Sequence, residues 1–288
     1  MITLQNFKQK TENKIFDLDT KKALDYELPM LKFQLFQREK GIQHGFSTRL
    51  GGVSTGIYES LNLSFTRGDD PASVRENYRR VSDYFGVDLE HIVTSDQTHT
   101  TNVIEVTSLH GGSGITRERD FTDVDGMVTK EPGLLLATFY ADCVPLYFYD
   151  PVHKAIGLSH SGWRGTVNRM GAATLEKMKE CFGTNPEDVI AAIGPSICQD
   201  CYEVSEDVAF AFKKEFLNQE IVLPGKKEGK YQLDLWKANR EVLLSAGIKE
   251  ENLAVTNICT CCNEQLLFSH RASQGRRGNL GAFLMLKG

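Results

Sequence analysis

A cysteine and a histidine, Cys143 and His160, flank a segment that reads as a β-hairpin, with Asp150 and Pro151 at the first two positions of its turn. A turn centred on residues 150–153 sets Cys143 opposite His160 on one face of the ladder, Cβ atoms roughly 4.5–5.5 Å apart. A one-residue slip would send them to opposite faces. Pro145 lacks a ladder donor, which suits an edge or a strand end and would release Cys143 from regular pairing. Three chemistries suit a thiol beside an imidazole. One is a nucleophile whose pKa the imidazole lowers. Another is a pair of metal ligands in need of a third. The last is a buried cysteine beside a hydrogen-bonded histidine. His99, in Ser95-Asp-Gln-Thr-His-Thr just before a β-like run, supplies the third donor. Cys with two His gives three ligands of a tetrahedral site and leaves the fourth position to water or substrate, as catalytic zinc requires.

Directly after His160, Ser161-Gly-Trp-Arg-Gly-Thr166 leads toward a helix. Two glycines, Arg164 and a helix N-terminus make a candidate oxyanion or phosphate clamp, the alternative being a tight turn with a surface arginine. Trp163 either stacks on a planar base or fills core. Arg49 beside Gly51-Gly52 is a further candidate anion contact, although that glycine-rich run matches no phosphate-loop or dinucleotide pattern. Cys198 and Cys201 form C-x-x-C, whereas Cys259, Cys261 and Cys262 read as C-x-C-C. That mismatch makes a second, structural zinc the lesser reading. His44, His91, His110, His153 and His270 read as surface or turn histidines.

Four helices follow from caps and periodicity. Asp70-Pro71 opens the first, with Val74, Tyr78, Val81 and Phe85 on one face and Gly86 as its stop. Thr166 caps the second, which ends at Gly183. Ser205 starts the third, running through Phe216, and Asp234 starts the fourth, ending at Gly247. β-Rich segments lie at 42–49, 100–107, 124–130, 134–149, 154–160, 188–194, 253–259 and 280–286. The Pro-Gly-Lys-Lys-Glu-Gly-Lys run at 224–230 is a solvated hairpin or loop. Without regular strand–helix alternation the class is α+β, with mixed or antiparallel sheets and helices on their outer faces. No compositional break divides the 288 residues, so a single domain is expected.

Lys+Arg of 33 against Asp+Glu of 38 gives a net charge of −5, which argues against a nucleic-acid partner. The apolar run from Gly133 to Val144 is too short for a membrane span. The N-terminus has no apolar signal core, and seven cysteines suit a reducing compartment, so a cytoplasmic protein is expected.

A wider set of motifs resembles one known family. These are Phe46-Ser-Thr-Arg49, Gly51-Gly-Val-Ser54, Ser60-Leu-Asn-Leu63, Gln97-x-His99, Ala141-Asp-Cys-Val-Pro145 and His160-x-Gly-Trp-Arg-Gly-Thr166. To them add Gly194-Pro-x-Ile197, Cys201-Tyr-Glu-Val204, Cys259-Thr260 and Ser269-His-Arg271. Together they resemble the YfiH-like family, also called polyphenol oxidase laccase-like or purine nucleoside phosphorylase, over residues 42–286. Residues 1–41 would be an N-terminal extension or edge element. The resemblance implies metal ligands at His99, Cys143 and His160. It also implies zinc, with copper as the alternative, and purine nucleosides and phosphate as partners, in a monomer or homodimer. Two departures stand out: Thr100 replaces a glycine usual after the first histidine, and Asn279 stands where an arginine is common.

The activity so implied is phosphorolysis of adenosine, inosine, guanosine or methylthioadenosine to free base and ribose 1-phosphate, together with adenosine deamination. A zinc-acidified water would serve the deamination. Asp142 would move protons or orient a histidine. Arg49 and Arg164, with Arg271 behind them, would hold phosphate, and Asn62 and Trp163 would contact substrate. Three competitors remain: a copper phenol oxidase, a metal-free Cys143–His160 hydrolase acting on amide or peptidoglycan-derived bonds, and a non-catalytic metal-binding module.

Overall fold

The computed structural model describes residues 2–23 and 25–288. Two six-stranded sheets enclose the main core. The first runs, in spatial order, Phe16–Lys22, Glu27–Phe33, Ile42–Ser47, Leu280–Leu286, Leu135–Tyr140 and Ile92–Thr94. The second runs Leu253–Val255, Ile190–Ile193, Val144–Asp150, Ala155–Ser161, Gly126–Thr129 and Val103–Glu105. Most pairs are antiparallel, but Ile92–Thr94 in the first sheet and both outermost strands of the second pair in parallel. The result is α+β with mixed sheets, as expected. A three-stranded sheet joins Glu203–Ser205, Lys230–Leu233 and Val222–Pro224, so the lysine-rich run at 224–230 is a hairpin connection.

Val144–Asp150, Ala155–Ser161 and Leu280–Leu286 are buried along their whole length. Strands covered on both faces read as continuous apolar runs, hence their visibility in the sequence. The first-sheet residues Phe33, Phe46, Tyr140 and Leu284 pack against the second-sheet residues Tyr147, Tyr149, Ile156 and Leu158. Each large buried side chain contributes ~1.5–3 kcal/mol. Two hydroxyls bridge the sheets in opposite directions: Tyr147 donates to Gly45 O (2.9 Å) and Tyr140 to Ser159 O (3.0 Å). Helix Pro71–Phe85 covers the first sheet through Val74, Tyr78, Val81 and Phe85. Helices Met170–Phe182, Glu206–Glu215 and Leu235–Ser245 build a second core on the outer face of the other sheet.

The cap-based expectations hold for three helices. Asp70 accepts from Ala72 N and Ser73 N, and Gly86 ends that helix at φ 74°. Ser205 and Asp234 occupy the N-cap positions of the third and fourth. The second differs. A short helix Trp163–Val167 ends before Arg169, which sits at φ 61°, and the long helix begins at Met170. Thr166 does not cap it, because its hydroxyl donates to Gly162 O and meets Ser161 Oγ and Asn239. The strands Phe16–Lys22 and Glu27–Phe33 carry weak sequence signals, because the first alternates charge with apolar residues and the second carries Pro29. They form the outer edge of the first sheet. His44 is no surface histidine: it is buried, and its Nε2 accepts from Phe33 N at 2.8 Å. Among the described residues no helix is long and apolar enough to cross a membrane.

Candidate metal centre

The segment 134–149 is two strands in different sheets. Leu135–Tyr140 belongs to the first, Val144–Asp150 to the second, and Ala141-Asp142-Cys143 is the crossover between them. Asp142 takes φ 118° there, a left-handed backbone that the crossover requires. Its carboxylate anchors the bend, accepting from Thr260 Oγ1 (2.6 Å) and Arg271 N (2.8 Å).

The hairpin register differs from the sequence expectation. Pro145, not Cys143, lies opposite His160, and Val144 pairs with Ser161, which sets Cys143 level with Gly162. The turn is displaced because Asp150 pairs with Ala155 and its Oδ1 accepts from Val152 N and His153 N, which closes a loop of 151–154. A slip from His160 to Gly162 is even, so Cys143 and His160 stay on the same face. Proximity survives the wrong register.

His99 reaches them from the loop between Ile92–Thr94 and Val103–Glu105. Gln97 ties that loop to the strand before the crossover, donating to Phe139 O (2.8 Å) and accepting from Phe139 N (2.6 Å). His99 takes φ 68°, and a single carboxylate holds the backbone there. Asp125 accepts from Thr98 N (3.0 Å), His99 N (3.1 Å) and Thr100 N (2.8 Å), and also from the Thr100 hydroxyl (3.0 Å). Its Oδ1 further receives His160 Nδ1 at 2.7 Å, so Nε2 is the ring nitrogen left to coordinate. Asp125 therefore orients the histidine, one of the two tasks expected of Asp142. No motif spacing marks it; only the fold brings residue 125 to 98–100 and 160.

One donor atom each from His99, Cys143 and His160 lies within 4.8 Å of the others, with Cys143 Sγ 3.9 Å from His99 Nε2. Burial works against ionising the Cys143 thiol. The positive charge and hydrogen bond of His160, with the bond to His99, outweigh it and bring the thiol down to about 6. Burial likewise opposes charging His160, yet Cys143 and Asp125 raise it to about 9. Gly162 leaves the space that a bound ion's ligands need. A Cβ there would stand 2.8 Å from His99 Cδ2 and 3.2 Å from Cys143 Sγ. A thiolate and two imidazoles, one fixed by a buried carboxylate, suit zinc with one position open.

The three donors face a cleft of about 620 Å3, within the size range of small-molecule sites. Phe65, Tyr78 and Phe139 supply apolar wall, and Arg67, Arg75, Arg117, Arg119 and Arg277 share the lining with Asp96 and Glu118. Arg277 is buried, and its Nε has no partner among the described residues. Burial, then the neighbouring Arg67 charge, lowers its guanidinium to about 10. Asn279, the departure from the family pattern, also lines the cleft and accepts from Arg277.

The arginines singled out in the sequence lie outside that lining. Arg49 is spent on Glu59 O and Glu264 O and stacks over Phe268. Arg271 donates to Cys201 O and Glu203 O, and Arg164 lies exposed over the Trp163 ring. Trp163 packs with the second core rather than against the cleft. Asn62 is buried, bonded to Asp69, Ser64 and Asn279 N. These residues shape the surrounding loops.

A family model described as "Multi-copper polyphenol oxidoreductase laccase" matches residues 43–287. "Purine nucleoside phosphorylase YlmD" of Bacillus subtilis (strain 168) is 37% identical over 255 residues, covering 88% of this chain and 92% of its own. "Adenosine deaminase RL5" from an unknown prokaryotic organism is 35% identical over 243 residues, covering 83% and 92%. The crystal structure of the hypothetical protein YfiH from Bacillus licheniformis superposes with a TM-score of 0.85 at 36% identity, covering 90% of this chain and 96% of its own. With a metal-type donor set at the floor of its cleft, the chain belongs to the YfiH-like family and has the equipment of a metal-dependent enzyme.

Proposed function

We propose that the protein is a zinc-dependent purine nucleoside phosphorylase that also deaminates adenosine. The observation that carries this reading is the convergence of His99, Cys143 and His160 on a cleft lined by five arginines. The names of its relatives favour purine nucleosides over other substrates. Zinc held by the three donors supplies Lewis-acid polarisation and an acidified water.

The chain's own residues do the rest. Arg117 is engaged by Asp120 and Arg119 by Asp96, which leaves Arg67 and Arg75 to bind phosphate, with Arg277 beside them although its Nη1 also donates to Gly278 O and Asn279. A guanidinium fork can give two hydrogen bonds to one anion, which orients as well as attracts it. Phe65 and Phe139 offer apolar surface to a purine. A phosphate oxygen forms the new bond to C1′ of the ribose as the C1′–N9 bond breaks. That electron pair leaves with the base, which takes up a proton. Cationic side chains around the phosphate fix it for in-line attack and exclude bulk water.

The laccase description suits the donor set less well. Four-electron reduction of dioxygen needs several coppers on many imidazoles, whereas the other metal-type cluster among the described residues is four cysteines. The decisive test is turnover of inosine and adenosine with and without phosphate, on protein whose metal has been quantified. Free base with ribose 1-phosphate, only when phosphate is present, supports the reading. No product from either nucleoside in zinc-loaded protein overturns it.

A further inference from the structure

The cysteines left over by the cleft form a second cluster. Cys259 and Cys262 are themselves C-x-x-C, with Cys261 standing between them and outside the cluster, so the expected mismatch with Cys198-x-x-Cys201 disappears. The Sγ atoms of Cys198, Cys201, Cys259 and Cys262 lie within 4.8 Å of one another. Cys201 Sγ is 3.6 Å from Cys262 Sγ. Tetrahedral zinc with Zn–S bonds of ~2.3 Å has sulfur–sulfur edges of ~3.8 Å. A disulfide would require ~2.05 Å. The N–H groups of Cys198 (3.2 Å) and Cys262 (3.4 Å) donate to Cys259 Sγ, the kind of support that stabilises a thiolate ligand.

We infer that these four cysteines bind a second zinc, in a closed and purely structural site. Four protein ligands complete the tetrahedron and leave no place for substrate. The surrounding chain explains the need for it. The segments at 7–13, 196–202 and 256–263 meet here with little regular structure, tied by Lys8 to Asn263, Lys10 N to Asn257 O and the Gln9–Ile258 and Ser196–Cys259 bridges. The site also connects to the cleft. Thr260, inside the second C-x-x-C, donates to Asp142 Oδ1 at 2.6 Å. Ile197 N, just before the first, donates to Asp142 O at 3.0 Å. The structural zinc thus holds the bend that presents Cys143, whichever substrate the cleft takes.

The test is metal stoichiometry and X-ray absorption on full-length protein expressed with zinc and purified under reducing conditions. Wild type is expected to carry two zinc ions per chain. His99→Ala is expected to keep one, with only sulfur neighbours in its absorption spectrum, and Cys262→Ser to lose that ion. Retention by His99→Ala carries the test even where Cys262→Ser fails to fold. One zinc in wild type and none in His99→Ala would overturn the inference, as would two disulfides among the four cysteines. Neither result depends on nucleoside turnover, so the proposed activity and the second zinc stand or fall separately.

Discussion

Replacing Asp125 by Asn tests how the primary donors are held. Oδ1 accepts from His99 N and His160 Nδ1; Oδ2 accepts from Thr98 N, Thr100 N and the Thr100 hydroxyl. An amide presents one oxygen and one NH2. In one orientation the NH2 faces His99 N–H and His160 Nδ1–H; in the other it faces the N–H groups of Thr98 and Thr100, while the hydroxyl can rotate to accept. Two donors therefore lose their acceptor in either orientation, the buried His160 ring N–H with the part-buried His99 N–H, or the part-buried N–H groups of Thr98 and Thr100. A fully buried orphan costs ~1–3 kcal/mol and part-buried ones less, so the substitution costs roughly 1–3 kcal/mol. That is a large share of the ~5–15 kcal/mol that holds a typical protein folded, and Tm falls accordingly. Zinc affinity at the His99–Cys143–His160 site falls ~10–100-fold, because the His160 ring loses its anchor. Competition against a chromophoric chelator measures the affinity, and calorimetry the Tm. Asp142→Asn is the control, since asparagine tolerates positive φ and keeps an acceptor, so its effect on zinc is smaller. Unchanged zinc affinity in folded Asp125→Asn protein would refute this account.

Three further outcomes are expected. Gly162→Ala forces a Cβ to within 2.8 Å of His99 Cδ2 and 3.2 Å of Cys143 Sγ, so the variant should fold but lose metal binding at the His99–Cys143–His160 site, read by metal analysis. In metal-free protein the Cys143 pKa is depressed to about 6, so thiolate persists as pH falls until that value is crossed. Peptide-resolved alkylation should then reach half its limiting rate near pH 6; a midpoint at the usual ~8.5 would show that the histidines do not act on the thiol. Arg277→Lys removes a fork from the cleft and should raise the KM for phosphate ~10-fold or more, the equivalent of ~1.5–3 kcal/mol of charge-assisted bonding. Arg164→Ala, outside the lining, should leave that KM unchanged.

The donors were legible because each sits in a compact local motif, and because the error in hairpin register was even and spared their common face. Helix Pro71–Phe85 was legible through an Asp–Pro start and a glycine stop, both local signals. Asp125 was not, since its five hydrogen bonds reach residues 98–100 and 160 and leave no periodicity at 123–126. Arg277 carries no sequence signal for the same reason: burial against the cleft, rather than sequence context, distinguishes it from the other arginines. The charge-alternating Phe16–Lys22 gains its strand identity from antiparallel pairing with the next strand, Glu27–Phe33, whose Pro29 weakens its own strand signal.

The position of Cys143 on the crossover has a mechanical consequence. His160 is rooted in one sheet, His99 follows a strand of the other, and Cys143 belongs to the link between them. Sliding one sheet across the other would stretch the triangle of donors, and the aromatic layer between the sheets resists the same displacement. That layer works as a calliper set to the radius of the ion. Tyr147→Phe, which deletes the hydroxyl tie to Gly45 without touching the cleft, would loosen the calliper's grip from inside the molecule.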